Sequence, residues 1–212
     1  MEKRIRKKVW LSLVLLFVFA LWTILVYFVD RKAIGPNGSS VGFAKLNAYF
    51  RDRIGVRMRL YTITDWLGIL PIAVAFCFAL FGLLQWIKRK NFFKVDRDIL
   101  ALGIFYIAVI TAYIFFESVT LNYRPVRIDG YLEGSYPSST TLLTACVMPT
   151  AAIQIKLRIK NTLLRRCLIL FSLLFTAFMV IGRILAGVHW ITDIIGGLLL
   201  SAGLVTAYTC LY

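Results

Sequence analysis

Apolar residues run in long blocks along this chain, broken by short polar and basic stretches. Six blocks, at roughly 9–29, 63–87, 98–117, 141–157, 165–187 and 190–211, are each about 20 residues long, the length that crosses a hydrocarbon core. The pattern predicts an all-α fold, an integral membrane bundle of six transmembrane helices forming a single domain over 1–212. No internal repeat, low-complexity tract or linker marks a second unit. The fourth block is the shortest, and Pro149 inside it predicts a kink. The first block follows a basic start, as in a signal peptide. It has spanning length and no small-residue cleavage site, so it is read as a retained helix.

Composition agrees with the pattern. The chain is 60% hydrophobic with a mean hydropathy of +0.79, where a soluble domain is about half apolar. The net charge of +15 would suggest nucleic acid in a soluble protein. Here the bases fall in short runs between apolar blocks, which is a topology signal, and nucleic acid is not expected as a partner. The runs at 3–8, 88–97 and 156–166 share one side with both termini, which the positive-inside tendency makes the cytoplasm. Loops 30–62 and 118–140, with residues 188–189, then face outward, and short loops without disulfide spacing fit a bacterial cytoplasmic membrane. Loop 30–62 is itself basic, with Arg31, Lys32, Lys45, Arg51, Arg53, Arg57 and Arg59. Either residues 42–58 form a helix lying among anionic headgroups, or the loop is solvated and translocates despite its charge. Within it, Gly35 to Gly42 is turn chemistry and matches no nucleotide fingerprint. Cys77, Cys146, Cys167 and Cys210 lie in or beside apolar blocks with no metal or disulfide spacing, so neither a metal nor another cofactor is expected.

Charged groups in hydrocarbon are costly and tend to face a polar cavity. That directs attention to Arg183, His189 and Asp193, where His189 is the only histidine. If the chain after Gly187 is helical, His189 and Asp193 share a face at i and i+4. The aspartate would hold one imidazole proton and leave the other nitrogen bare as a nucleophile. Two further polar clusters share the outer side: Asn122-Tyr123-Arg124-Pro125, and Tyr136-Pro137-Ser138-Ser139-Thr140-Thr141 at the head of the fourth helix. A helix start rich in hydroxyls offers free N–H groups to an anion, so Ser138, Ser139 and Thr140 are candidate phosphate ligands. Arg124 and Arg183 can grip phosphate oxygens with a planar fork.

In order and spacing these clusters resemble the type 2 phosphatidic acid phosphatase (PAP2) superfamily. Its pattern is a lysine then Arg-Pro, next Pro-Ser-Gly-His, then Ser-Arg, five residues, His, three residues, Asp. Arg183, His189 and Asp193 keep the third spacing, with Gly182 where serine is usual. Pro137 and Ser138 match the second motif, with Ser139 in place of glycine, and Arg124-Pro125 matches the first. The resemblance implies six helices, an outward-facing site and a lipid phosphate substrate taken from among membrane lipids. It also implies that His189 is the nucleophile, assisted by Asp193.

Two departures bear on the chemistry. Glu117 stands where the family has its first lysine, and Thr140 where it has the second-motif histidine, taken to protonate the leaving oxygen. Losing a general acid typically costs about 10²–10⁴ in rate. An alcohol leaving group needs that proton; a phosphate leaving from a diphosphate, with a pKa of about 6 to 7, needs it much less. The reading is therefore a membrane lipid phosphatase or phosphotransferase. It acts through phospho-His189 and prefers a diphosphate such as polyprenyl (for example undecaprenyl) diphosphate over a monophosphate such as phosphatidic acid. Glu133, Asp129 or Glu117 could replace the missing acid, and Glu117 could instead pair with Arg124 and compete with phosphate. The alternative is a catalytically impaired relative that binds lipid phosphates through the same pocket.

Overall fold

The computed structural model describes residues 2–211. The first helix, α1, spans Glu2–Phe28. A small antiparallel hairpin follows, β1 (Lys32–Ala33) against β2 (Ser40–Val41), paired Lys32 to Val41 and Ala33 to Ser40. Residues 34–39 make the turn of this hairpin, with a 3₁₀ turn at Pro36–Gly38, so the stretch from Gly35 to Gly42 supplies most of the turn and the second strand. Then come α2 (Ala44–Ile54), α3 (Met58–Leu67), α4 (Ile69–Arg89), α5 (Arg97–Ser118), α6 (Ser139–Arg158), α7 (Thr162–Ala186) and α8 (Ile191–Tyr208). Among the described residues, six helices are long and apolar enough to cross a membrane, with α3 and α4 counting as one stretch, Met58–Arg89. This is a multi-pass membrane protein of the all-α class the apolar blocks predicted.

The first five spans run past their apolar blocks, at one or both ends, because basic and hydroxyl residues there extend them without interrupting backbone hydrogen bonding, whereas the last, expected over 190–211, is helical only over Ile191–Tyr208. The second block was predicted from 63, yet its helix begins at Met58. The segment expected to be either an interfacial helix or a solvated loop is helical over Ala44–Ile54. Pro149 does not divide α6, which continues through it to Arg158; next to it the Thr150 hydroxyl donates to the carbonyls of Cys146 and Val147.

Helix α6 is the centre of the bundle and packs against α4, α5, α7 and α8. It is the least apolar of the six spans and the most buried. These two facts have one cause: a helix that meets protein on all sides can carry Thr141, Thr144, Thr150 and Gln154 inward, where lipid-facing helices cannot. Close approach elsewhere depends on missing side chains. A Cβ at Gly203 would stand 2.7 Å from Leu16 of α1, and one at Gly196 would stand 2.7 Å from the Tyr136 ring. The Ser12 hydroxyl reaches the Gly203 carbonyl at 2.9 Å across the same α1–α8 seam. Of the four cysteines only Cys146 is buried; Cys77 and Cys167 are exposed on the bundle surface rather than in its core.

Candidate active site

One end of the bundle gathers the loop 119–138, the starts of α3, α6 and α8, and the connection between α7 and α8. Helix α7 stops at Gly187, whose φ of +69° is left-handed. A side chain there would strike the carbonyl oxygen of Gly55 at 2.0 Å, so the two backbones lie in contact. The Arg57 amide donates to the Ala186 carbonyl at 2.9 Å beside them. Val188 and His189 follow, then Trp190 as the cap of α8. His189 therefore lies in the connector and not on a continuous helix face with Asp193, as an unbroken helix after Gly187 would have it.

The imidazole is pinned on both sides. Its Nδ1 lies 3.2 Å from the Ser135 carbonyl and 3.8 Å from Asp193 Oδ2. Its Nε2 lies 3.2 Å from Arg124 Nη1. A guanidinium only donates, so Nε2 is the acceptor and Nδ1 carries the proton. The nearer partner of that proton is a backbone carbonyl; Asp193 spends its Oδ2 chiefly on the Trp190 amide, at 2.9 Å, closing the first turn of α8. Only 7% of His189 is exposed. Burial, and then the charges of Arg124 and Arg183, hold its pKa well below the ordinary 6.5, which keeps Nε2 unprotonated at neutral pH.

The two arginines flank one aromatic ring. The guanidinium carbon of Arg124 is 5.9 Å, and that of Arg183 5.1 Å, from the centre of Tyr61. Each also has a carboxylate. Arg124 Nε is 3.0 Å from Glu133 Oε2, though off the line of its N–H bond, and its backbone amide donates to the Glu133 carbonyl. Arg183 donates through Nη2 to Asp65 Oδ1 at 2.9 Å and to the Thr140 hydroxyl, and through Nη1 to Thr64 at 3.4 Å. The Nε atoms of both arginines are buried without a hydrogen-bond partner.

The hydroxyl cluster divides. Ser138 is fully buried, its amide donating to the Asp193 carbonyl at 3.1 Å and its hydroxyl accepting from Thr141 at 3.0 Å. Those groups join α6 to α8 rather than facing a ligand. Ser139 lines the recess that holds His189, together with Tyr113, Glu117 and Pro137. Thr140 is turned to Arg183. The acidic candidates divide as well: Glu133 sits on Arg124, and Glu117 stands at the recess without an ion pair to Arg124, contrary to the competing role considered for it. Asp129 occupies a tight turn with φ +48°, exposed, between the bridge partners Ile128 and Tyr131.

Sequence reasoning missed Tyr61, Thr64, Asp65, Ser135 and Asn47. Asn47 ties α2 to the head of α8, donating to the Thr192 hydroxyl at 3.1 Å. Thr64 fills the space beside Gly182, where a Cβ would come within 2.7 Å of its Cγ2. Asp65 carried a usable signal, being an ionisable residue inside an apolar block.

With this geometry in place the comparisons become informative. Residues 119–212 match the family model of the PAP2 superfamily. The resemblance to that superfamily is borne out. The fold agrees over nearly the whole molecule with a solved structure, a transmembrane PAP2-type phosphatidylglycerolphosphate phosphatase from Bacillus subtilis. The TM-score is 0.61 at 17% identity, covering 93% of this chain and 94% of that one. No curated protein sequence matches the chain. The matched residues include Arg124, Ser138, Thr140, Arg183, His189 and Asp193; Asn47, Tyr61, Thr64 and Asp65 lie before them.

Proposed function

We propose that this PAP2-type protein removes the terminal phosphate of a lipid diphosphate, such as a polyprenyl diphosphate, through a phosphohistidine at His189. The observation that carries the reading is the orientation of the imidazole: its proton is committed at Nδ1, and its bare Nε2 faces the Arg124 guanidinium. A phosphoryl group drawn to Arg124 meets a neutral, oriented nucleophile. Asp193 and the Ser135 carbonyl stabilise the positive ring that forms on attack. Thr140 cannot act as a proton donor at neutral pH, so substrates whose leaving group tolerates negative charge are favoured. The site face is assigned to the outer side of a bacterial cytoplasmic membrane, opposite the basic runs at 88–97 and 156–166.

A second reading has its own support. Both arginines already hold carboxylates, which fits a protein that binds lipid phosphates without turning them over. One experiment separates the two. Purified protein, with and without His189→Ala, is given a polyprenyl diphosphate, its monophosphate and a phosphatidic acid in chelator, and released phosphate is measured. His189-dependent release, largest from the diphosphate, supports the enzyme. No release, with lipid-phosphate binding that survives His189→Ala and fails in Arg124→Gln, supports the binder.

A further inference from the structure

Away from His189, helices α4 and α5 leave a groove between them. It holds about 490 Å³, within the range of about 300–1,000 Å³ in which small-molecule sites fall. Among the described residues no charged side chain lines it, and the Tyr106 hydroxyl is turned away to Thr150 at 3.3 Å. Gly82 of α4 and Gly103 of α5 both lie in its wall. A Cβ at Gly82 would stand 3.0 Å from Ile99, whereas one at Gly103 would meet nothing within 4 Å. The helices therefore touch near Ile99 and leave open space at Gly103. From Ile99 to Ile110, both in the wall, α5 rises about 17 Å at about 1.5 Å per residue. One leaflet of a ~30 Å hydrocarbon core is about 15 Å deep. The groove is one leaflet long.

One end of the groove is basic. There Trp86 and Phe92 meet edge to face with ring centroids 5.7 Å apart, as in the aromatic belt at a membrane surface. The adjoining turn carries Lys88, Lys90, Lys94 and Arg97, all exposed and without an ion-pair partner among the described residues. Arg89, by contrast, is taken by Asp96 at 2.8 Å. An apolar slot of leaflet length with free cations at its mouth matches an acyl chain that bears an anionic headgroup. A second copy of this chain fits worse. Membrane copies share one orientation, so a two-fold contact would set the same basic turn against itself. We propose that the α4–α5 groove is a binding site for one anionic glycerophospholipid. An acyl chain lies along Gly82 and Gly103, and the phosphate rests on the bases of residues 88–97. The bound lipid supplies packing that the two helices do not give each other, and so stabilises the fold by mass action. The inference stands apart from the phosphatase reading, because this lipid is held at the opposite end of the bundle from His189 and is not turned over.

The test is native mass spectrometry of the purified, delipidated protein in detergent, titrated with dioleoyl phosphatidylglycerol or dioleoyl phosphatidylcholine. Wild type is expected to retain one phosphatidylglycerol. It should prefer that lipid by on the order of 10²-fold, as three bases at about fivefold each give. Gly103→Leu puts a side chain into the open space and fills the groove. Lipid retention is expected to be lost in it, while its melting point without lipid does not fall below that of wild type. Lys88→Gln with Lys94→Gln is expected to lower phosphatidylglycerol affinity about 25-fold and to leave phosphatidylcholine unmoved. Lys160→Gln with Arg166→Gln, a basic pair on the next loop of the same side, is expected to change neither. Unaltered retention in Gly103→Leu, or equal losses from the two basic pairs, means attraction to the surface at large and overturns the site. Equal retention of both lipids overturns it too, since the headgroup then decides nothing. A dimer mass that disappears in Gly103→Leu gives the groove to a second copy instead. Should Gly103→Leu melt early, the comparison of the two exposed basic pairs decides alone.

Discussion

The bundle has a polar cluster at each end, and the two are built on opposite terms. At the end away from His189, Asp96 accepts from Arg89 at 2.8 Å, Arg158 at 3.0 Å and Gln85 at 2.9 Å. Arg158 in turn donates to Asp98 and to Gln154, and the Gln85 side-chain Oε1 accepts from the Asp96 backbone amide at 3.0 Å. Every partner there is another part of the protein, and the result clasps α4, α5 and α6 together. At the His189 end, the guanidinium donors Arg124 Nε and Arg183 Nε are buried with no hydrogen-bond partner; no atom of the Asp96 clasp has that status among the described residues. A cluster that exists for stability satisfies itself, whereas one that awaits an anion keeps donors in reserve.

If that contrast is sound, substitutions at the two ends have opposite signatures. The largest effect is expected from His189→Ala, a loss of phosphate release on the order of 10⁶-fold, as when other enzymes lose their nucleophile. Its thermal midpoint in detergent should stay near that of wild type, and a collapse of the melting curve would remove the contrast. Arg124→Gln is expected to lower kcat by about 10²–10³-fold through loss of charge stabilisation at the reacting phosphoryl group. A rise in KM at constant kcat would instead make Arg124 a ground-state anchor. Arg158→Ala should reverse the pattern, lowering stability by about 1 kcal/mol, since the pairs it leaves are partly solvated, with kcat/KM per folded molecule unchanged.

The smallest effects come from pH, and they also separate the ends. The Arg89 hydrogen bond, aided by Arg158 and Gln85, lowers the Asp96 pKa from 3.8 to about 2. Its contribution to stability is full above 3.8 and is lost as pH falls toward 2, so the clasp should loosen only in strong acid. His189 is depressed from 6.5, so its neutral form persists below that value and the acid limb of the rate profile should fall under pH 6.5. A limb at or above 6.5 would mean that the ring is less enclosed than its burial indicates.

Much of this was legible beforehand because hydropathy and motif spacing are local. Apolar blocks set the number and order of the six spans, and Arg183, His189 and Asp193 were found by charge in an apolar setting. What could not be read was anything decided by packing between distant segments. The nearer partner of Nδ1 is the Ser135 carbonyl, and backbone carbonyls are invisible to residue identity. Ser138 looked like an anion ligand from its place at a helix start, yet α8 packs close enough for Asp193 to take its amide. Asp65 lay in plain sight within the second block, but only the approach of α3 to α7 gives it Arg183 as a partner.

The fit between Gly182 and Thr64 bears on how this sequence can change. A serine at 182, usual in the superfamily, would bring its Cβ within 2.7 Å of the Thr64 methyl. The threonine cannot turn away cheaply, since its hydroxyl is held by the carbonyls of Leu60 and Tyr61 at 2.9 and 3.0 Å. The two positions are thus epistatic, and the order of substitution matters. Thr64→Ala or Thr64→Ser must come first to open the room; Gly182→Ser made alone meets a closed door.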